Sequence, residues 1–189
     1  MPSTIAARLA GHVVLDVQAD GSIVARFHGL ALDLGTFSAA AVKRARELRT
    51  GLKLAAFASG RGVDNEIDRL VRRLARHGLV EYRLGARNGA DRVVIEPQMA
   101  DYWPRTPPLK DADVLVLSRF AYLRRRGDDM VLESPRAAAL FRVCDGTIAA
   151  ALATLAAPQP IKRLRRQAGF PGTELLALLL DCQILFKVG

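Results

Sequence analysis

Asn65-Glu66-Ile67-Asp68-Arg69-Leu70-Val71-Arg72-Arg73-Leu74-Ala75-Arg76-His77-Gly78-Leu79-Val80 is the stretch on which the fold turns. Ile67, Leu70, Val71 and Leu74 recur at helical spacing and form one apolar stripe. Asp64 or Asn65 stands where a cap is wanted. Glu66 and Asp68 put negative charge in the first turns, where the helix dipole favours it. Gly78 stops the helix and Leu79–Leu84 reads as the strand that follows. A similar phrase closes the chain: Leu175-Leu176-Ala177-Leu178-Leu179, then Gln183-Ile184-Leu185.

Working outward, His12–Leu84 and Val114–Val188 each run strand, turn, strand, about three helices and a return strand. In the first, Val13–Val17 and Ile23–Phe27 flank Ala19-Asp20-Gly21, and Leu30, Leu32 and Leu34 alternate as a third strand. Ser38 then caps a helix that ends at Gly51, and Leu52–Ala58 reads as a second helix. After the helix quoted above, Leu79–Leu84 and Arg92–Glu96 pair as a wing around Asn88-Gly89. In the second repeat Ala121–Arg125 pairs with Met130–Glu133, Ser134-Pro135 starts a helix and Asp145 caps the next. Pro160–Ala168 is a basic helix, and a final helix is capped by Thr173. The fold class this spells is α+β, with tandem winged-helix-like modules, each a small antiparallel sheet with about three helices. The domains are residues 1–96, a proline-rich linker 97–112, and 113–189, with Tyr102 and Trp103 of the linker packed onto a module.

Composition narrows the function. The chain has 189 residues, of which 50% are hydrophobic, and carries a net charge of +9. Its first 100 residues hold 15 basic and 10 acidic side chains and the rest 13 and 9, so there is no basic tail. That favours an acidic or phosphate-bearing partner without selecting one. Cys144 and Cys182 read as small buried hydrophobes in a reducing compartment. No secretory signal is visible, and the apolar runs Thr147–Ala157 and Leu175–Leu180 are too short to span a bilayer. A cytoplasmic protein, not a membrane one, is expected.

Catalysis is poorly supplied. His12, His28 and His77 have no nucleophile arrangement around them, and His77 suits a helix C-terminus. Gly60-Arg61-Gly62 lacks the lysine and the preceding strand of a phosphate loop, Asp128-Asp129 sits at a turn tip, and no metal-ligand spacing occurs. No catalytic, cofactor-binding or metal residue is therefore assigned. Arg69, Arg72, Arg73 and Arg76 form a basic stripe on the third helix, apt for duplex DNA, but base-reading side chains are nearly missing there. The equivalent helix of the second repeat, Glu174–Cys182, is apolar all round and should be buried. A peptide adding as a strand along Ala31–Leu34, with Leu32 and Leu34 on that edge strand and the four arginines, Arg69, Arg72, Arg73 and Arg76, facing acidic guest residues, fits better. A winged-helix DNA-binding regulator is the alternative, and a scaffold for dimerisation a third.

Leu117-Ser118-Arg119-Phe120-Ala121-Tyr122-Leu123-Arg124-Arg125, Leu132-Glu133-Ser134-Pro135 and Gly169-Phe170-Pro171 through Leu185 resemble the N-terminal region of SagB-type dehydrogenases. The resemblance covers most of residues 113–189 closely and the preceding module loosely. It implies an FMN-dependent azoline oxidase acting on thiazole/oxazole-modified ribosomal peptides after a cyclodehydratase, with an N-terminal region that holds the precursor leader. Arg124-Arg125-Arg126 lacks the serine and the following helix of the cluster that such flavoproteins place on the cofactor phosphate. On this resemblance FMN belongs to a nitroreductase-type domain, in cis or in trans, that this chain lacks. The chain reads as a fragment or a freestanding relative. Its expected partners are a precursor peptide, that flavin domain, a cyclodehydratase and a second copy of itself, with nucleic acid as the alternative.

Overall fold

Asp20 turns the first hairpin by local bonding. Its carboxylate accepts from the Ser22 amide at 2.9 Å and hydroxyl at 2.8 Å, and these bonds hold its pKa below the usual carboxylate range. The structure is a computed structural model describing residues 5–53, 65–85 and 90–188. Antiparallel sheets and several helices make it an α+β protein. Its chain divides into one unit of residues 1–83 with 99–103 and another of 84–98 with 104–189. The expected second helix beyond Lys53, the Gly60-Arg61-Gly62 segment and the Asn88-Gly89 turn lie outside the described residues.

In the first unit β1 (Ile5–Leu9) pairs antiparallel with β5 (Leu52–Lys53), Ala7 opposite Leu52. Strands β2 (Val14–Val17), β3 (Ser22–Phe27) and β4 (Leu30–Thr36) form a separate meander, with β2 and β4 at its edges. Helix α1 (Ala39–Ala45) continues as a 3-10 turn, Arg46–Arg49, and Ser38 accepts from the Ala41 amide as its cap. Helix α2 (Glu66–Arg76) buries Ile67, Leu70, Val71 and Leu74 as its spacing requires, and Asn65 caps it at the Asp68 amide, 2.9 Å. Two expectations change here. Ile5–Leu9 adds a strand before the first hairpin, and Leu52–Lys53, expected to open a helix, extends as a strand because Leu52 is buried against it.

β6 (Val80–Gly85) begins in this unit. It and β7 (Asp91–Pro97) occupy the two arms assigned to the wing. Yet β7 is no free arm: it pairs along its length with β11 (Ala139–Val143), from Val93–Val143 to Pro97–Ala139. Three successive buried residues, Val93, Val94 and Ile95, explain this, since an exposed wing would leave one face wet.

The second unit orders its strands β7-β11-β10-β9, with β9 (Tyr122–Arg126) and β10 (Asp129–Glu133) forming the expected hairpin. A smaller sheet, β12-β8-β13, joins Gln159–Pro160, Val114–Leu117 and Leu185–Val188. Ser134-Pro135 starts no helix. Ala137 donates to the Ser134 carbonyl at 2.9 Å in a tight turn, and the chain enters β11 between β7 and β10. Asp145 caps α3 (Gly146–Ala153) as expected. The basic helix shrinks to α4 (Ile161–Leu164). Helix α5 (Thr173–Asp181) has Gly172, not Thr173, at its cap, and buries Leu175 through Leu179. Cys144 is exposed just after β11, against expectation, while Cys182 is buried; neither is in a disulfide. Among the described residues no helix is long and apolar enough to cross a membrane.

The repeated phrase of the sequence is a repeated helix end. Gly78, at φ 67°, donates to Ala75 at 3.0 Å while Leu79 donates to Leu74 at 3.0 Å. Gln183, at φ 56°, donates to Leu180 at 3.1 Å while Ile184 donates to Leu179 at 2.9 Å. Glycine adopts this left-handed conformation freely and glutamine does not. Gln183→Gly is expected to stabilise the protein by about 0.5–1 kcal/mol. Urea unfolding checks it; a lower midpoint would show that the side chain is used for something else.

Candidate functional site

β4 is an edge strand whose far end is already bonded. Asp33 accepts from the Gly35 amide at 2.8 Å, and the register with β3 slips between Val24–Asp33 and Ser22–Thr36, a bulge at Gly35 (φ 87°). Arg73 Nη1 donates to the Leu34 carbonyl at 3.0 Å, so α2 is tied to β4 at this point. The Leu34 side chain is 1% exposed and belongs to the core, whereas Leu30 is 62% exposed. Leu32 is half-buried. A strand added to this edge would therefore run along Leu30–Asp33. Leu30, not Leu34, is the side chain it would cover.

The arginine stripe is less uniform than its spacing. Arg76 pairs with Asp101 at 3.0 Å. Arg72 is half-buried, with its guanidinium 4.5 Å from the centre of the Trp103 ring and its Nε without a hydrogen-bond partner among the described residues. Beneath it the Tyr82 hydroxyl donates to the Tyr102 carbonyl at 3.0 Å, and the Tyr82 ring meets Tyr102 and Trp103 edge-on. Burial pushes the Tyr82 phenol up, against a smaller opposing effect of the Arg72 charge. Tyr102 and Trp103 thus pack within the first unit. Arg69 and Arg73 are exposed. Glu66 accepts from the Ser38 hydroxyl and, at 3.2 Å, from its amide, tying the starts of α1 and α2 together. Those bonds, aided by Arg69, hold the Glu66 carboxyl below its ordinary pKa. The structure so joins Leu34 to Arg73, sends Arg72 and Arg76 to the 99–103 segment, and leaves Arg69 at the surface. Leu30, exposed at the start of β4, and Trp103, against Arg72, adjoin these residues, and the alternation at Leu30 was a usable signal for the strand.

In the second unit the motif residues converge. Ser118 and Ser134 are buried, Ser118 donates to the Ile184 carbonyl at 2.9 Å, and Ala121 donates back to Ser118 at 2.9 Å. This turn presents Phe120 at the surface with Arg119 and Arg136 over its ring, at 4.7 and 5.0 Å. The arginines of β9 are engaged within their own unit. Arg124 pairs with Glu133, Arg125 donates to the Gly127 carbonyl at 2.8 Å, and Arg126 pairs with Glu96 at 3.2 Å. Glu96 and Asp129 also hold Arg142, at 3.1 and 3.0 Å. Among the described residues no three His, Cys, Asp or Glu side chains gather as a metal site.

No match was found among curated proteins. Residues 115–189, which hold the buried helix α5, the motif turn and both strands that flank β8, match the family model described as cyanobactin oxidase ThcOx. That segment is thereby related to the azoline oxidases of ribosomally made, modified peptides, a broader relation than the SagB-type resemblance alone.

Proposed function

We propose that this chain is a substrate-recognition region of SagB type, working with an FMN-dependent azoline oxidase and holding the precursor peptide beside it. The relation of residues 115–189 to the cyanobactin oxidase family carries the reading. The first unit supplies the means: an edge strand, β4, with α2 anchored at its end by Arg73 and exposing Arg69. Its helix-and-strand order is winged-helix-like, but the guest is a peptide. FMN and the oxidation belong to a nitroreductase-type flavin domain, in cis or in trans. A cyclodehydratase or a second copy of the chain are further partners, in the cytoplasm.

The test is titration of the precursor leader, followed by fluorescence anisotropy. Charge reversal at Arg69 and Arg73 together weakens binding by about 1–3 kcal/mol, the range of charge-assisted contacts. Because Arg73 also holds Leu34, Arg69→Glu alone is run beside it and both are checked for an unchanged melting temperature. Binding that ignores both variants would sink the assignment. So would duplex DNA bound more tightly than the leader, with affinity falling by orders of magnitude as salt rises.

A further inference from the structure

Across the meander from β4 lies a cavity of about 340 Å³ lined by Leu9, Leu15, Val17, Ala45, Arg46 and Arg49. That is the lower end of the range for ligand sites, with room for one or two side chains. Its floor is aliphatic and its rim cationic. Arg46 and Arg49 sit three apart on a 3-10 turn, where side chains at that spacing eclipse, so both project from the same side. Both are exposed, and neither has an ion pair or a hydrogen bond to its guanidinium among the described residues. Two exposed guanidinium groups at the mouth of an apolar hole, unpaired among the described residues, suit a carboxylate attached to an aliphatic body.

The neighbouring backbone says what kind of carboxylate. β2 is the other edge of the meander. The Gln18 amide donates to Ser22 at 2.9 Å, so even-numbered residues of β2 face β3 and the main-chain groups of Leu15 and Val17 turn outward. These are the two β2 residues that line the cavity. A strand added there would place alternate side chains over the pocket and beside the arginines. We infer that this pocket is a binding site for an extended acidic peptide segment, with an aliphatic residue in the hole and a carboxylate two positions along on Arg46 and Arg49. This goes beyond the function proposed above, since it uses neither β4 nor α2.

The probe is a fluorescein-labelled octapeptide, Thr-Leu-Thr-Glu-Thr-Leu-Thr-Glu, titrated into the full chain and compared with its glutamine analogue. Binding of the glutamate peptide about tenfold tighter than the analogue is expected, with Arg46→Glu plus Arg49→Glu abolishing the difference and Arg69→Glu leaving it intact. Both substituted side chains are exposed, and the melting temperature confirms that the double variant folds. Equal affinity for the two peptides overturns the inference, as does a difference that survives the double variant. Decanoate displacing the peptide at equal or lower concentration would overturn the peptide assignment in favour of a small aliphatic carboxylate. Loss of leader binding in the Arg69→Glu variant, with this pocket unaffected, would separate the two sites.

Discussion

Gly169→Ala lowers the stability of the second unit by about 3–5 kcal/mol, the size of a strained backbone plus an overpacked contact. Gly169 has φ 74°, a conformation that alanine resists. More severely, a Cβ there would stand 2.3 Å from the Thr147 carbonyl oxygen and 2.5 Å from its carbon. The obstacle is main chain in the first turn of α3, just after the Asp145 cap, so no side chain can swing aside. Either α3 shifts away from the 165–169 turns or the turns unwind. Gly127→Ala is the control: its φ is 63°, yet nothing lies within 4 Å of the added carbon. It should cost only about 1 kcal/mol, from the conformation alone. Denaturant unfolding of both variants reads the difference. Equal losses would mean that the close approach to Thr147 is not real.

Phe141→Ala should cost about 3–5 kcal/mol, the range for emptying a buried aromatic site. Phe141 is fully buried in β11 and stands opposite Ile95 of β7 on one side and Leu132 of β10 on the other. Leu132 in turn faces Leu123 of β9, so a lateral apolar row crosses all four strands. Phe141→Leu keeps most of the volume and should cost less than about 1.5 kcal/mol. Because the row exists only if residues 139–143 form a strand, Ile95→Ala and Phe141→Ala should be coupled in a double-mutant cycle. Strict additivity would favour the helix that Ser134-Pro135 suggests.

That misreading shows where sequence signals fail. Ser-Pro followed by Arg136-Ala137-Ala138-Ala139-Leu140 satisfies every local rule for a helix start, and helix propensity agrees. Tertiary context overrides it, since β7 and β10 both need a partner between them. The run Val93-Val94-Ile95 held that information, being apolar on consecutive residues as only an interior strand is. β1 was missed because Ile5-Ala6-Ala7-Arg8-Leu9 alternates weakly, with alanine in the middle. By contrast α2 was legible because stripe, cap and stop all agreed, whereas α5 was legible from its apolar run alone, its cap being Gly172 and its stop Gln183. The site was half legible. Spacing gave the arginines, but their partners lie elsewhere: Leu34 is 39 positions from Arg73 and Asp101 is 25 from Arg76. No local pattern encodes such distances.

The path of the backbone has one more consequence. It leaves the first unit after Arg83, returns at Met99 for five residues and departs again at Pro104. A protein shortened to residues 1–96 would forfeit Tyr102, whose carbonyl receives the Tyr82 hydroxyl and whose ring abuts it. One beginning at 113 would forfeit β7 and leave the β11 flank without its mate. The two units are interleaved along the sequence, so a cut at 96 or at 113 separates residues that belong to one unit.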